Sequence, residues 1–310
     1  MKSGFIVVDK SVGFTSHDVV AIARKSLQER RVGHAGTLDP FATGVLVLGV
    51  GQGTRLLQYI TDGKKSYEGT IRLGSATTTD DLTGEVVSEN FAGLSLISDE
   101  KIINLLAKQV GEIYQRPSDY SAIKVNGKRA YELARAGQEV QLKERKVTIY
   151  SLAVEKITRA SEASSSSIDV EITVQCSAGT YIRSIARDLG NALGVGGHLT
   201  SLRRVRVDPF SLADAISIDQ LKEDPELLAI DDAIGRIFSR RILSAEEVAS
   251  VSHGRSIAMA QEEASDNAGL REQSQEKQYA AFTPEGRFIA LLAEKGGRAQ
   301  PILVINRESS

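Results

Sequence analysis

Hydrophobic positions follow two spacings along the chain, and together they predict a mixed fold. Strands are predicted where apolar residues run together or alternate with polar ones: Phe5–Asp9, Val45–Val50, Ser66–Leu73, Val147–Ile157, Ile168–Ser177 and Leu199–Val207. Helices are predicted where apolar residues recur every three or four positions: Thr15 to about Gln28, Thr54–Thr61, Asp99–Val110, Lys128–Ala136 and Tyr181–Leu193. Because these elements do not repeat as strand–helix–strand units, the predicted fold class is α+β, with a mixed, largely antiparallel sheet and flanking helices and loops.

The pattern changes near Leu228, where short strand-like pieces replace the longer elements. These pieces are Ser256–Ala260, Tyr279–Thr283, Phe288–Ala293 and Pro301–Ile305. They predict a small β-rich domain over residues 231–310, following a first domain over residues 1–230. A chain ending near Ile230 is expected to fold by itself. Two polar stretches are predicted to be flexible, the connector Ala160–Ser167 and a hairpin tip over residues 261–278.

Composition excludes several classes of protein. The chain has 310 residues, is 41% hydrophobic and carries a formal net charge of −2. It has no apolar run long enough for a membrane span and no signal-peptide pattern, so we expect a cytoplasmic protein. One cysteine, Cys176, allows no internal disulfide and is predicted to be a buried, inert thiol. The four histidines lack metal-ligand spacing, so no metal site is expected.

Two glycine-containing segments fail as nucleotide-binding motifs. The segment Gly49–Thr54 follows a strand, but Thr54 occupies the place of the third glycine of a dinucleotide fingerprint. The segment Gly63–Ser66 lacks the upstream glycine of a phosphate-binding loop, because Gln58 stands there. The sequence therefore predicts no cofactor.

Positive charge is concentrated in two places. Between Lys124 and Lys146 there are seven cations against three anions, a local excess of four positive charges. Arg203, Arg204 and Arg206 form a second cluster. A charge run by itself is usually a solvated surface, but two runs beside candidate catalytic segments favour a surface that contacts phosphates.

Asp39 lies in a glycine-rich segment, Gly33–Gly44, which is predicted to be a loop. An aspartate before a proline by itself most often shapes a turn. However, these twelve residues, GHAGTLDPFATG, closely resemble the catalytic signature of the TruB family of tRNA pseudouridine synthases. Further segments resemble other motifs of that family in the same order: Asp9–Ser16, Lys65–Gly69, Tyr120–Tyr131, Ser177–Gly190 and His198–Arg204. The resemblance is strong from about residue 4 to 220 and looser in the tail.

Three positions depart from the family pattern. Ser11 stands where the family has proline, Pro117-Ser118 where it has paired prolines, and Asp208 where it has glycine. These positions affect loop shape and RNA docking, and none of them carries a reacting group.

The resemblance implies a pseudouridine-synthase-like sheet followed by a small PUA-like domain. The implied reaction is the isomerisation of uridine 55 in the T loop of tRNA, which needs no cofactor. Asp39 corresponds to the catalytic aspartate, which can act as a nucleophile, stabilise charge on the sugar or remove a sugar proton. Arg183 corresponds to the arginine that keeps this aspartate ionised. The remaining implied pocket residues are Tyr67, Tyr181, Leu202 and, near the active site, Lys10.

The resemblance also implies how the RNA is bound. The target base must be flipped out of its stack, and His34 corresponds to the residue that fills the vacated space. A basic thumb over about residues 115–146 would grip the T stem-loop. The expected RNA-contacting cations are Lys124, Lys128, Arg129, Arg203 and Arg204. The implied partner is tRNA alone, with no protein partner and a monomeric enzyme.

Two alternatives remain open. One is the guide-RNA-dependent relative, which shares the catalytic core but normally carries long basic extensions. The other is a non-catalytic module that binds or folds RNA. The combination of Asp39, Tyr67 and Arg183 argues against that module, because simple binding does not require it.

Overall fold

The computed structural model describes residues 2–121, 123–125, 127–138, 142–162, 165–223, 225–259 and 278–305. The strands of the first part of the chain are β1 (Gly4–Lys10), β2 (Val32–Ala35), β3 (Thr43–Val50), β4 (Lys65–Leu73), β5 (Ser75–Thr77), β6 (Val86–Glu89), β7 (Gly111–Gln115), β8 (Lys124–Val125), β9 (Lys128–Arg129), β10 (Arg145–Glu162), β11 (Ser165–Cys176), β12 (Gly197–Val207) and β13 (Phe210–Ser211). Those of the last part are β14 (Ser239–Ile242), β15 (Ile257–Ala258), β16 (Gln278–Phe282), β17 (Phe288–Lys295) and β18 (Arg298–Val304).

The α-helices are α1 (Ser16–Leu27), α2 (Leu57–Thr61), α3 (Asp99–Ala107), α4 (Ala130–Arg135), α5 (Ile182–Leu193), α6 (Ile218–Glu223), α7 (Ile230–Ile237) and α8 (Ala245–Ser252). Short 3-10 helices cover Gly51–Leu56, Ala92–Leu96 and Leu212–Asp214. A capping box fixes the start of α1, because Thr15 and Asp18 each bind the other's backbone N–H. In the described part of the chain, no helix is long and apolar enough to cross a membrane.

The larger sheet has the strand order β1-β3-β12-β4-β11-β10-β7, with β2 paired to β3 and β13 paired to β12. Within the described part of this sheet, β12 and β3 form a parallel pair and the other pairs are antiparallel. The predicted α+β class with a mixed, largely antiparallel sheet is therefore confirmed. Strand β4 lies in the middle, between β11 and β12.

Side-chain alternation on β4 divides its residues between two faces. Lys65, Tyr67, Ile71 and Leu73 are buried on one face, whereas Glu68 on the other face is exposed. The buried face packs against apolar side chains of α5, among them Ile185 and Leu189. This packing sets the first turn of α5 over the middle of the sheet, where the candidate site lies.

Several sequence expectations are corrected by the structure. The predicted loop Gly33–Gly44 begins only at Gly36, because 32–35 pair with β3 as strand β2. The flexible connector predicted over Ala160–Ser167 is wrong at both ends, because β10 and β11 pair up to Glu162 and from Ser165, and residues 163–164 lie outside the described part of the chain. The predicted helix Lys128–Ala136 begins at Ala130, since 128–129 form β9. Most of the predicted hairpin tip over 261–278 lies outside the described residues.

A second sheet, of order β14-β16-β17-β18-β15, is formed by the C-terminal part of the chain. One hydrophobic core includes Phe5 and Val47 of the first sheet together with Phe282 and Phe288 of the second. A polar contact joins the same parts, because the Arg55 side chain donates to the carbonyl of Val304 at 2.7 Å. This shared core argues against the expectation that residues 1–230 fold alone.

Candidate active site

The loop that carries Asp39 is held from several sides. The hydroxyl of Ser16, the first residue of α1, accepts from the backbone N–H of Leu38 at 2.9 Å. The ammonium of Lys10 is fully buried and donates to carbonyl oxygens of Phe14 at 2.8 Å and Pro40 at 3.4 Å. Burial lowers the pKa of Lys10 to about 8. Lys10 therefore ties the end of β1 to the loop that carries Asp39.

Arg204 holds the other side of this loop. Its guanidinium donates to carbonyl oxygens of Val45 at 2.8 Å, Gly36 at 3.0 Å and Thr37 at 3.5 Å. The residue is 1% exposed, so it cannot reach an RNA phosphate from this position. The predicted RNA contact by Arg204 is therefore replaced by a role in fixing the loop. The sequence did not reveal this burial, because cationic clusters are usually exposed.

Arg183 and Asp39 form a two-point ion pair. The Nε of Arg183 lies 2.9 Å from Oδ2 of Asp39, and its Nη2 donates to Oδ1 at 3.2 Å. The Arg183 side chain is 5% exposed and that of Asp39 is 34% exposed. Arg183 comes from the first turn of α5, so the helix places a fixed guanidinium against an accessible carboxylate.

A second carboxylate, Asp81, lies on the far side of Arg183. Its Oδ2 is 3.6 Å from Nη1 of Arg183, and its side chain is 5% exposed. The hydroxyls of Thr79 and Thr83 donate to Asp81 at 2.7 and 2.6 Å. Sequence reasoning missed Asp81, which lies in a polar, turn-like segment without helical or strand periodicity. The structure brings it into the same charge network as Asp39.

Carbonyl oxygens complete the environment of Arg183. It donates to Thr79 at 2.9 Å and to Tyr120 at 3.0 Å. Gln115 is another buried residue that the sequence did not single out. Its side-chain amide donates to the carbonyl of Tyr181 at 3.0 Å and accepts from the backbone N–H of Tyr181 at 2.8 Å. The chain on both sides of the pocket is thereby fixed to α5.

The charge on Asp39 is set by opposing influences. Burial raises the pKa of the Asp39 carboxyl above its ordinary value, Arg183 lowers it, and the nearby Asp81 raises it. Because the carboxylate is one-third exposed and has two contacts with Arg183, we expect it to be ionised at neutral pH. An ionised, oriented carboxylate can act as a nucleophile or stabilise developing positive charge.

Asp39 lines two cavities. The first has a volume of about 280 Å³, and its lining includes Asp39, Tyr67, Tyr181, Arg183 and Leu202, which the sequence assigned to one pocket. The second has a volume of about 390 Å³ and extends past Asp81 towards His17 of α1. Both cavities are lined by Asp39, Arg183 and Ser121.

Tyr67 is a neutral phenol in the wall of the first cavity. It is 8% exposed, and burial raises its pKa to about 12. A neutral ring suits stacking against a flat base better than it suits proton removal. Lys65, two residues earlier on the same face of β4, also lines this cavity and donates to the carbonyl oxygens of Thr61 and Gly63. Burial lowers the pKa of Lys65 to about 8.

Two other predicted RNA-contacting residues, His34 and Arg203, do not line this cavity. His34 is half-buried on β2, and its ring meets that of His17 edge-on at 5.5 Å. Arg203 points away from Leu202 and Arg204 and pairs with Asp9 at 2.7 Å, lining a groove on the other face of the sheet. Lys124, Lys128 and Arg129 lie on β8 and β9, but their side chains are outside the described part of the structure.

Possible metal ligands are not clustered in the described part of the chain. No group of three or more histidine, cysteine, aspartate or glutamate side chains there could hold a metal ion. Cys176, the one cysteine, is fully buried, as predicted.

Comparison with known proteins places the chain in a family. Residues 24–182 match the N-terminal domain of the TruB family pseudouridylate synthases. Residues 183–247 match a tRNA pseudouridylate synthase B C-terminal domain, and residues 238–306 match a C-terminal domain of tRNA pseudouridine synthase II.

Individual relatives match over nearly the whole chain. A protein of Arthrobacter sp. (strain FB24) named tRNA pseudouridine synthase B is 48% identical over 98% of this chain and 97% of the relative. A protein of the same name in Paenarthrobacter aurescens (strain TC1) is 49% identical over 98% of this chain and 95% of the relative. A crystal structure of a Cbf5-Nop10-Gar1 complex contains a similar fold, with a TM-score of 0.67 and 26% identity over 98% of this chain and 84% of that one. The chain therefore belongs to the TruB family of pseudouridylate synthases.

Proposed function

We propose that this protein is a tRNA pseudouridine synthase that isomerises uridine 55 in the T loop of tRNA. The observation that carries the proposal is the two-point contact between Arg183 and Asp39 in the wall of a cavity. A buried arginine holding an accessible carboxylate is an arrangement for chemistry, because simple RNA binding relies on exposed cations. The relatives at 48% and 49% identity are named tRNA pseudouridine synthase B, which supports this substrate class.

The proposed reaction moves one bond of the nucleoside and adds no atoms. The bond between N1 and C1′ breaks, the base turns within the pocket, and C5 bonds to C1′. The proton leaves C5, and N1 gains a proton. Asp39 is the proposed catalytic residue, and Arg183 keeps it ionised and aimed into the cavity. No cofactor or metal takes part in this proposal.

The remaining pocket residues hold the base. Tyr67 provides a flat, neutral ring and Leu202 an apolar contact, and both line the cavity with Tyr181. A base that remains stacked in RNA cannot enter this cavity of about 280 Å³. The proposal therefore includes base flipping, with His34 in the space that the base leaves. The basic thumb over about residues 115–146, with Lys124, Lys128 and Arg129, is proposed to contact the T stem-loop.

The proposed partner is free tRNA, bound by a monomer in the cytoplasm. The division proposed is a catalytic domain over residues 1–230 and an RNA-binding β domain over 231–310. Guide-RNA-dependent action is the alternative, but identity to the Cbf5 chain is 26%, against 48–49% to the proteins named tRNA pseudouridine synthase B.

The test is release of tritium from C5-labelled uridine in a T-loop transcript, measured in buffer with EDTA. We expect release from the intact transcript and none from a matched transcript with cytidine at position 55. Release that occurs only after addition of a guide RNA, or only after addition of a metal ion, would contradict the proposal. RNA binding without release would point to the non-catalytic module instead.

A further inference from the structure

Ser121 is a buried residue without an ordinary hydrogen-bond partner. Its residue exposure is 3%, and its hydroxyl makes no hydrogen bond of normal geometry to the described part of the chain. The nearby group is the phenol of Tyr181. Burial raises the pKa of this phenol, and its interaction with Ser121 lowers that pKa. The two oxygens nevertheless do not meet hydrogen-bond geometry. Hydroxyl groups left in this state are uncommon in folded proteins, because their lost hydration is not replaced.

The position of Ser121 explains what could satisfy it. Ser121 lines both cavities, together with Asp39 and Arg183. The carbonyl of the preceding residue, Tyr120, accepts from Arg183 at 3.0 Å, which fixes the backbone at this point. The hydroxyl therefore lies at a defined place in the wall of the proposed active site, where no hydrogen bond of normal geometry to the described residues satisfies it.

We propose that the Ser121 hydroxyl hydrogen-bonds a polar atom of the target nucleotide and is a substrate-contacting residue of the enzyme. This inference rests on the proposed function. A buried hydroxyl that is unsatisfied in the free protein and satisfied by the substrate favours the bound state, because binding then restores the missing interaction. A nucleotide with its polar groups available is selected, and a purely apolar occupant leaves Ser121 unsatisfied.

Ser121→Ala tests the proposal, and Ser184→Ala is the matched control. Ser184 is fully buried on α5, and its hydroxyl donates to the carbonyl of Arg116 at 3.0 Å. Ser184 does not line either cavity. The two variants remove the same atom from two buried serines, one with its hydrogen bond unused and one with it made.

The two variants are expected to affect the Tm and kcat/KM in opposite ways. Ser121→Ala should keep or raise the Tm, since it removes an unsatisfied group, and should lower kcat/KM for a T-loop transcript about tenfold. Ser184→Ala should lower the Tm and change kcat/KM less than twofold. Comparison of kcat with KM then shows whether the contact forms mainly in the transition state or on binding.

Two results would overturn the inference. One is unchanged kcat/KM in Ser121→Ala while the wild-type enzyme forms pseudouridine. The other is a Tm drop in Ser121→Ala as large as that in Ser184→Ala, which would mean that the hydroxyl already has a structural partner. Failure of the wild-type enzyme itself to form pseudouridine would instead contradict the proposed function, so the two failures are distinguishable.

Discussion

Arg183 contacts the carboxylate of Asp39 through two of its nitrogens, at 2.9 and 3.2 Å. The contact joins the loop after β2 to the first turn of α5, two parts of the chain separated by 144 residues. A lysine cannot reproduce it, because an ammonium offers one point of charge in place of a planar fork.

Arg183→Lys is therefore expected to keep the local charge and lose the orientation of Asp39. We expect kcat to fall about a hundredfold, roughly 2.7 kcal/mol of transition-state stabilisation. Arg187→Lys is the control, because Arg187 lies on the same helix and pairs with Asp80 at 3.5 Å outside the cavity. Single-turnover rates of the two variants should differ at least tenfold, and equal rates would contradict the importance of the two-point contact.

Asp81 is expected to tune the acid limb of the pH–rate profile. Asp81 raises the pKa of Asp39, so its loss should lower that pKa. If the reaction needs ionised Asp39, Asp81→Asn should shift the acid limb to lower pH while the plateau rate falls about tenfold through looser placement of Arg183. Asp80→Asn is the matched control and should leave the limb in place. A limb that moves to higher pH in Asp81→Asn would contradict this arrangement of charges.

Buried Lys65 is expected to make stability depend on pH. Its pKa is about 8 in the folded protein, whereas an exposed lysine in the unfolded chain titrates near ~10.4. Between these values the unfolded chain binds more protons, so this lysine makes the free energy of unfolding rise with pH above about 8. Lys10, with a pKa of about 8, acts in the same direction.

Denaturant unfolding of wild type and Lys65→Met at pH 7, 8, 9 and 10 measures this effect. Cys176 opposes the rise from about pH 8.5, the ordinary thiol pKa, because burial raises its pKa to about 11. Lys65 lowers the pKa of Cys176, so both proteins are also compared in a Cys176→Ala background, where their difference isolates Lys65. We expect the wild type to gain stability relative to Lys65→Met above pH 8. A constant difference across this range would show that Lys65 is not a buried cation.

Phe282 is expected to stabilise both sheets at once. It is fully buried in the core shared with Phe5, and its ring lies 5.7 Å from that of Phe288. Phe282→Ala should lower the free energy of unfolding by about 3–5 kcal/mol and shift a single calorimetric transition. Ile302→Ala, at a residue 45% exposed in the same sheet, should change it by less than about 0.5 kcal/mol. Two transitions, of which only one moves, would show that the parts fold independently.

The sequence grouped residues that line one cavity of the structure where long motifs contain them. Asp39 and Arg183 lie in long, specific motifs, and the alternation of β4 and β12 places Tyr67 and Leu202 on the buried face. Asp81 was not found, because its partner Arg183 is distant in the chain and no periodicity points to it. Arg204 looked like a surface cation, since the carbonyl groups that bury it belong to another loop.

Contacts between parts of the chain that are distant in sequence were also missed in the prediction of the fold. In the serine-rich segment Ala160–Ser167, residues 160–162 pair with 165–167 although most of them are polar, and polarity alone does not distinguish paired strand ends from a loop. The shared core was missed because apolar spacing predicts which face of an element is buried without naming the surface that covers it.

The central claim is that Asp39 is the catalytic residue, and Asp39→Asn tests it most directly. The amide keeps the size and polarity of the side chain but cannot act as an ionised carboxylate. The measurement is single-turnover pseudouridine formation in a T-loop transcript at saturating enzyme, with RNA affinity measured in parallel. We predict that product formation is lost, while the Kd for RNA changes by less than about tenfold, roughly 1.4 kcal/mol. Product formation by Asp39→Asn at a sizeable fraction of the wild-type rate would contradict the account.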